Sequence, residues 1–357
     1  MDRLQTLAPA SASLGGGGVA RRGLLIAMAS LAASACKRTP MLTASRTPRL
    51  DMKRLDREMA GLAVRARPGV LGFGLMNLES GEYWVREGDR TFPMMSVFKL
   101  PLGAAALAEV EAGRLNLTET LTLADKDLSP QLSPIATAWP GRSAYTVGEL
   151  LEAAVVDSDN TAADVLMKRI GGPGAVSAWL QLKKVEGIRV DHYERELAPN
   201  AFDMASFRPA WRTEAAFGAA MATVPPARRR AATLAYMADP RDSATPRGML
   251  GFLHKLDGGE LLTAPQTQRL LRLLGRTPRG ADRIKAGLPA DAAFAHKPGT
   301  SATDQGLTAA FNDVGIFTLH DGRSYAVAAF LSGSTASDAD RAALFADLGR
   351  VALHAVG

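Results

Sequence analysis

The sequence predicts an α/β fold of the α+β type: an antiparallel five-stranded sheet flanked by helices, with an all-helical lobe inserted into it. Three observations predict this. Strand-like runs occur near residues 70–86 and again only after residue 291. The long stretch between them carries apolar residues at helical spacing. A helical segment precedes the first strand group and another follows the last, so the sheet is assembled from both ends of the chain.

Taken in order, residues 51–66 place Met52, Leu55, Met59, Leu62 and Ala63 at helical spacing, with charges between them. Val70–Leu78 and Glu82–Arg86 read as two strands joined by the turn Glu79-Ser80-Gly81. Residues 97–113 are apolar on all sides, which predicts a buried helix ended by Gly113. Helices follow at Thr146–Val156, at Ala162–Ile170 before Gly171-Gly172-Pro173, and at Ala175–Leu182. Residues 191–246 are less regular and rich in proline. Met249–Lys255 and Ala264–Leu274 are helical again. Ala292–His296, Asp313–Thr318 and Tyr325–Ser332 complete the sheet. Residues 338–354 close it as a helix with Ala342, Leu344, Phe345, Leu348 and Val351 on one side.

Composition narrows the function. The chain has 357 residues, 47% hydrophobic and 22% charged, which excludes collagenous and disordered classes. Its one long apolar run, about residues 23–35, is shorter than the roughly 20 residues of a spanning helix. A polytopic membrane protein is therefore excluded. The single cysteine, Cys36, allows no intrachain disulfide, and the five histidines show no metal-ligand spacing. No metal and no cofactor is expected. The net charge of +6 is spread along the chain, with Arg228–Arg230 the only basic triplet, so no nucleic-acid partner is expected.

The first 36 residues read as an export signal. An acid-poor start with Arg21-Arg22 leads into the apolar run Leu24–Ala29 and the small residues Ala33-Ser34-Ala35 before Cys36. Arg21-Arg22-Gly23-Leu24-Leu25 resembles a twin-arginine signal. Ala33–Cys36 resembles a lipoprotein cleavage box, with Ala33 where leucine is usual. Plain cleavage near Ala35 and lipidation of Cys36 both stay open, and a lipid there is the one expected route to a membrane. Residues 37–50 read as linker and 51–357 as the folded domain, its helical lobe spanning about 96–275.

Three short motifs carry chemistry. Ser96-Val97-Phe98-Lys99 opens the buried helix and places Lys99 one turn beyond Ser96. A serine hydroxyl needs a base to attack, and free N–H groups at a helix start suit a developing oxyanion. Ser158-Asp159-Asn160 lies at a helix–helix junction, where any of the three also serves as an N-cap. Lys297-Pro298-Gly299-Thr300 follows a strand and alone reads as a strand end with a turn. Each is unremarkable alone; their order and separation are not.

On these motifs the chain resembles a class A serine β-lactamase over about residues 51–357. Phe98–Pro101, Ser158–Ala162, Gly171-Gly172, Ala286–Pro289 and Asn312–Ile316 look like family segments in family order. The resemblance implies a β-lactamase/transpeptidase-like fold, a small β-lactam substrate, a monomer and a periplasmic location. It implies Ser96 as nucleophile, Ser158 as proton donor to the leaving nitrogen, and Lys297 as electrostatic support. Lys99, or Glu194 through a water, is the acylation base, and that choice stays open. Backbone N–H groups of Ser96 and Thr300 are the implied oxyanion hole. Asn160, Thr300, Ser301, Arg283 and Leu132 are the implied substrate contacts. Asp191–Leu197 resembles the omega-loop stretch that holds the deacylating glutamate, with Glu194 in that position and Glu196 as fallback.

The departures matter as much. Ala198 stands where the family usually has the asparagine that helps hold the deacylating water, with Asn200 as a partial substitute. Pro298 replaces a hydroxyl residue, and Leu132 an aromatic one. Between Glu194 and Asp242–Pro246 lies an expansion of the omega loop, about residues 198–241. It is expected either to fold as packed helices using Trp211, Phe217, Met221, Leu234 and Met237, or to cover the cleft and restrict bulky substrates. Two other readings stay open: a D-alanyl-D-alanine carboxypeptidase-like enzyme, which has no need of Glu194, and a penicillin binder that deacylates slowly.

Overall fold

A computed structural model describes residues 49–356; the expected export signal with Cys36 and most of the expected 37–50 linker lie outside the described residues. The sheet runs in the order Tyr83–Arg86, Val70–Asn77, Ser324–Ser334, Leu307–Thr318, Ala293–Thr300, every neighbour antiparallel. These are the five expected strands, joined by a two-residue sixth, Thr303–Asp304, paired to Leu307–Thr318.

Both faces of the sheet are buried, and period-two alternation divides the side chains between them. Leu71, Phe73, Leu75, Tyr325, Val327 and Ala329 face a core shared with helices Met52–Arg65 and Asp338–Ala355. Met76, Ala326, Ala328 and Phe330 face the helical lobe. On that face Gly72 and Gly74 leave room for neighbours: an added Cβ would lie 2.5 Å from the Phe92 ring and 2.7 Å from Leu250. The lobe can therefore pack almost onto the backbone.

At the centre of the lobe is helix Lys99–Glu111, whose residues from Lys99 to Leu107 are all buried, as its all-round apolar character predicts. Pro101 is tolerated because it sits in the first turn, where no helical donor is lost. The lobe is not all-helical: Thr120–Thr122 and Ala144–Thr146 form a small antiparallel ribbon. The second expected helix also changes character, running as α-helix over Val147–Glu152 and as a wider π turn over Ala153–Asp157. Lys297–Thr300 is not a turn after the strand but part of it.

The irregular stretch folds into three helices, Glu194–Asn200, Glu214–Ala222 and Pro226–Ala238. Phe202, Met204 and Phe217 form a small core with Trp211 and Met221 against it. Leu234, expected on the apolar face, is 49% exposed, because its helix turns Thr233 and Met237 inward instead. The ends of the segment are pinned together. Arg189 N–H donates to Ser243 O at 2.9 Å and Thr245 N–H to Gly187 O at 2.8 Å. The Asp242 carboxylate receives the N–H groups of Asp191 and His192 at 2.8 and 3.0 Å and meets His192 Nδ1 at 2.6 Å. Loop length costs little once the ends are fixed, since closure entropy rises only logarithmically.

Removing that carboxylate should unpin the segment. Asp242→Ala is expected to lower stability by about 2–4 kcal/mol, the range for losing charge-assisted hydrogen bonds. Hydrogen exchange should accelerate within 191–238 and not in the strands 307–318 and 324–334.

Candidate active site

Ser96 lies in the 3₁₀ turn Met95–Phe98, directly before helix Lys99–Glu111. Two contacts hold that turn against the sheet. Asn312 Nδ2 donates to Pro93 O at 2.8 Å and to Met94 O at 3.0 Å. Gly299 packs so closely that a Cβ there would meet Met94 O at 2.5 Å. The Lys-x-Gly glycine thus brings strand Ala293–Thr300 beside the turn that bears Ser96.

Lys99 is fully buried and surrounded by acceptors. Its Nζ donates to Ser96 Oγ at 3.1 Å, to Ser158 O at 2.8 Å and to Asn160 Oδ1 at 2.5 Å, and lies 3.6 Å from Glu194 Oε1. Burial pushes its pKa down; the carboxylates of Glu194, Asp159 and Asp164 pull the other way, and burial prevails. Lys297, equally buried, donates to Ser158 Oγ at 2.9 Å. Burial, reinforced by the charges of Lys99, Arg279 and Arg283, pushes it well below the ordinary lysine range. Ser158 thus stands between two lysines, with Lys99 Nζ 3.4 Å from its hydroxyl. It reaches that place in left-handed backbone, φ 62°, a conformation uncommon for a residue with a side chain. Asp159 secures it from behind, capping helix Asn160–Arg169 through Ala162 N–H and accepting from Ser133 Oγ and Ile135 N–H.

Glu194 begins helix Glu194–Asn200, and its side chain is 5% exposed. Asp164 positions it: its two carboxylate oxygens receive Glu194 N–H at 2.8 Å and Arg195 N–H at 3.0 Å, and Ser129 Oγ donates at 2.6 Å. Burial, with the Glu194 charge nearby, raises the Asp164 carboxyl to about 7. Asp164 has no part in the sequence expectation. The available signal was its position four residues after Asn160, on the same helical face.

The remaining expected residues divide. Leu132, Thr300, Ser301 and Arg283 line the cleft with Ser96 and Ser158, a space of about 640 Å³. Arg283 is half spent on structure: it donates to Asn312 O at 2.6 Å and Thr300 Oγ1 at 2.5 Å, and its guanidinium lies 3.7 Å from the Phe311 ring centroid. Asn160 is committed to Lys99 and, through Nδ2, to Pro130 O at 3.0 Å. Glu196 is exposed and caps its own helix through Tyr193 N–H, which removes it as fallback for Glu194. Asn200 is exposed at the far end of that helix and makes no hydrogen bond with Glu194 among the described residues. Ala198 packs against the Phe202, Met204 and Phe217 core, so apolar packing occupies the place of the missing asparagine. That core belongs to the expansion, and Phe217 and Met221 also line the cleft. A serine touched by one buried lysine, a second serine between two, and a buried carboxylate beside them can perform acyl transfer.

Comparison with known proteins agrees with this chemistry. The model of the Beta-lactamase enzyme family matches residues 54–356. The extended-spectrum β-lactamase PER-1 of Pseudomonas aeruginosa is 30% identical over 73% of this chain and 74% of its own. A β-lactamase structure from Chitinophaga pinensis superposes with TM-score 0.70 at 29% identity, covering 85% of this chain and all of its own. An ancestral class A β-lactamase gives TM-score 0.68 at 30% identity over 84% of this chain and 99% of its own. The chain belongs to the β-lactamase enzyme family, with class A members among its relatives, and it is a β-lactam hydrolase of the kind that confers antibiotic resistance.

Proposed function

We propose that the enzyme opens penicillin- and cephalosporin-type β-lactams through an acyl-enzyme on Ser96. Lys99, or Glu194 through a water, takes the Ser96 hydroxyl proton as Oγ bonds to the lactam carbonyl carbon. The carbon–nitrogen bond breaks as Ser158 gives its proton to the departing nitrogen and receives in its place, through Lys99 Nζ 3.4 Å away, the proton taken from Ser96, with Lys297 balancing charge at Ser158 and at the substrate carboxylate. Backbone N–H groups of Ser96 and Thr300 hold the oxyanion. Asn160 meets the side-chain amide, and Arg283, Thr300, Ser301 and Leu132 complete the contacts. Glu194 then takes a proton from water as its oxygen bonds to the acyl carbon; the bond from that carbon to Ser96 Oγ breaks, and the proton passes to Oγ to restore Ser96. The observation that carries this reading is the Lys99 Nζ placed 3.1 Å from Ser96 Oγ and 3.6 Å from Glu194 Oε1.

Ala198 favours a second reading, a penicillin binder that deacylates slowly. With no side-chain amide there, the water loses one hydrogen bond, worth about 0.5–1.5 kcal/mol. We further propose that residues 1–36 export the protein to the periplasm, either by plain cleavage near Ala35 or with a lipid on Cys36 as its anchor. Residues 37–50 are linker and 51–357 the catalytic domain, the omega-loop expansion covering about 198–241, and the enzyme acts as a monomer.

Two outcomes are expected. Glu194→Ala should leave acylation measurable while slowing deacylation at least about 100-fold, the low end for losing a general base. Intact mass after mixing with a chromogenic cephalosporin should show a stable adduct in the variant and not in the parent. The second concerns Asp164, whose folded pKa lies above its unfolded value. Its contribution to stability is full below about pH 4 and is lost as pH rises toward 7. Asp164→Asn has no such group, so urea midpoints of variant and parent should shift in the variant's favour between about pH 4 and 8. A difference that stays flat with pH would contradict this.

A further inference from the structure

Helix Glu214–Ala222 lines the cleft with Glu214, Phe217, Gly218 and Met221, spaced so that they share one helical face. The same cleft is lined by the cations Arg279 and Arg283. Among the described residues, Glu214 is the only carboxylate lining it. That side chain is exposed and makes no hydrogen bond or ion pair among the described residues. Beside it Gly218 opens onto free space, since an added Cβ would meet nothing within 4 Å. Phe217, by contrast, is held firmly, 2% exposed in the small core beneath the helix. The wall therefore has a charged end, a gap and an apolar base, on a segment whose ends are pinned by Asp242. A second anchor lies beyond it: Arg229 of the following helix pairs with Asp304 at 3.0 Å, both nearly buried.

We propose that this helix sorts β-lactams by the charge on their acyl side chain, favouring an ammonium and disfavouring a carboxylate, with Glu214 as the discriminating group. The inference rests on β-lactam hydrolysis at Ser96 and adds a substrate class to it. The carboxylate on the ring system of a β-lactam is drawn toward Arg279 and Arg283. The side chain then extends through a cleft whose one unpaired anion is Glu214. Met221 takes its apolar body, Phe217 fixes the wall from beneath, and the gap at Gly218 gives it room. A unit charge near an exposed carboxylate changes binding about fivefold in either direction, so the two signs together separate by more than tenfold. Glu214 also suits the helix dipole at its first turn, so a stability measurement alone cannot reveal this role.

The test uses three penicillins that share a phenylacetyl side chain and differ at its α-carbon, which is unsubstituted or bears an ammonium or a carboxylate. Rates are taken at about pH 6.5, below the ordinary α-amino pKa of about 7.7. The parent should prefer the ammonium over the carboxylate compound in kcat/KM. In Glu214→Gln that ratio should fall about tenfold, and in Glu214→Lys it should invert. Gly218→Leu fills the gap without changing charge and should raise KM for all three while leaving the ratio alone. An unchanged ratio in Glu214→Gln, with the parent turning over the unsubstituted compound, overturns the inference and leaves hydrolysis standing. A parent that turns over none of the three overturns both.

Discussion

An ammonium removed from water costs several kcal/mol unless oxygen atoms replace its hydration. Lys99 is wholly buried, and much of the lobe is arranged to supply those oxygens. Ser96 provides one from the adjoining turn, Ser158 two from its carbonyl and hydroxyl, and Asn160 one from its amide. Glu194 supplies the balancing charge. The demands propagate outward. Ser158 must adopt a left-handed backbone to aim at both lysines, so Asp159 is needed to fix the turn. Glu194 must be brought from a distant segment, so Asp164 is needed to hold its helix start. The same burial that makes Lys99 costly lowers its pKa from the ordinary lysine value, against the pull of the carboxylates.

The expansion enters this arrangement at one residue. Ala198 is partly buried and packs against the cluster of Phe202, Met204 and Phe217 that the additional helices form. Support for a water beside Glu194 and support for the expansion thus compete for the same position. The helices gained in exchange reach the cleft itself, where Phe217 and Met221 replace open solvent with a wall.

Much of this was legible in the sequence. Short apolar runs announced the five strands of the main sheet, because both of its faces are buried. The nine buried residues from Lys99 announced the central helix. The three motifs located Ser96, Lys99, Ser158, Asn160 and Lys297, since their chemistry depends on fixed spacing along helix and strand. What was hidden depends on contacts between distant segments. Asp164 looks like one polar residue on a helix until residues 194 and 195 arrive above it. Pro298 suggested a strand end, yet the strand runs on: it is the sheet's edge, where a missing N–H costs no ladder bond. Leu234 looked like core because its neighbours are apolar, but its helix docks through one narrow stripe.

That burial outweighs the surrounding carboxylates at Lys99 is the claim on which the choice between Lys99 and Glu194 as acylation base turns. Carbon-13 labelling of the lysine side chains allows its Nζ titration to be followed by NMR, with the Lys99 resonance identified by its loss in Lys99→Arg. A pKa clearly below the ordinary lysine value of about 10.4 is the predicted result, rising toward that value when Asn160 and Ser158 are left intact but the burial is relieved by unfolding. A titration at or above the ordinary value in the native enzyme would contradict it, since the carboxylates would then outweigh burial and Lys99 would be a fixed cation rather than a base.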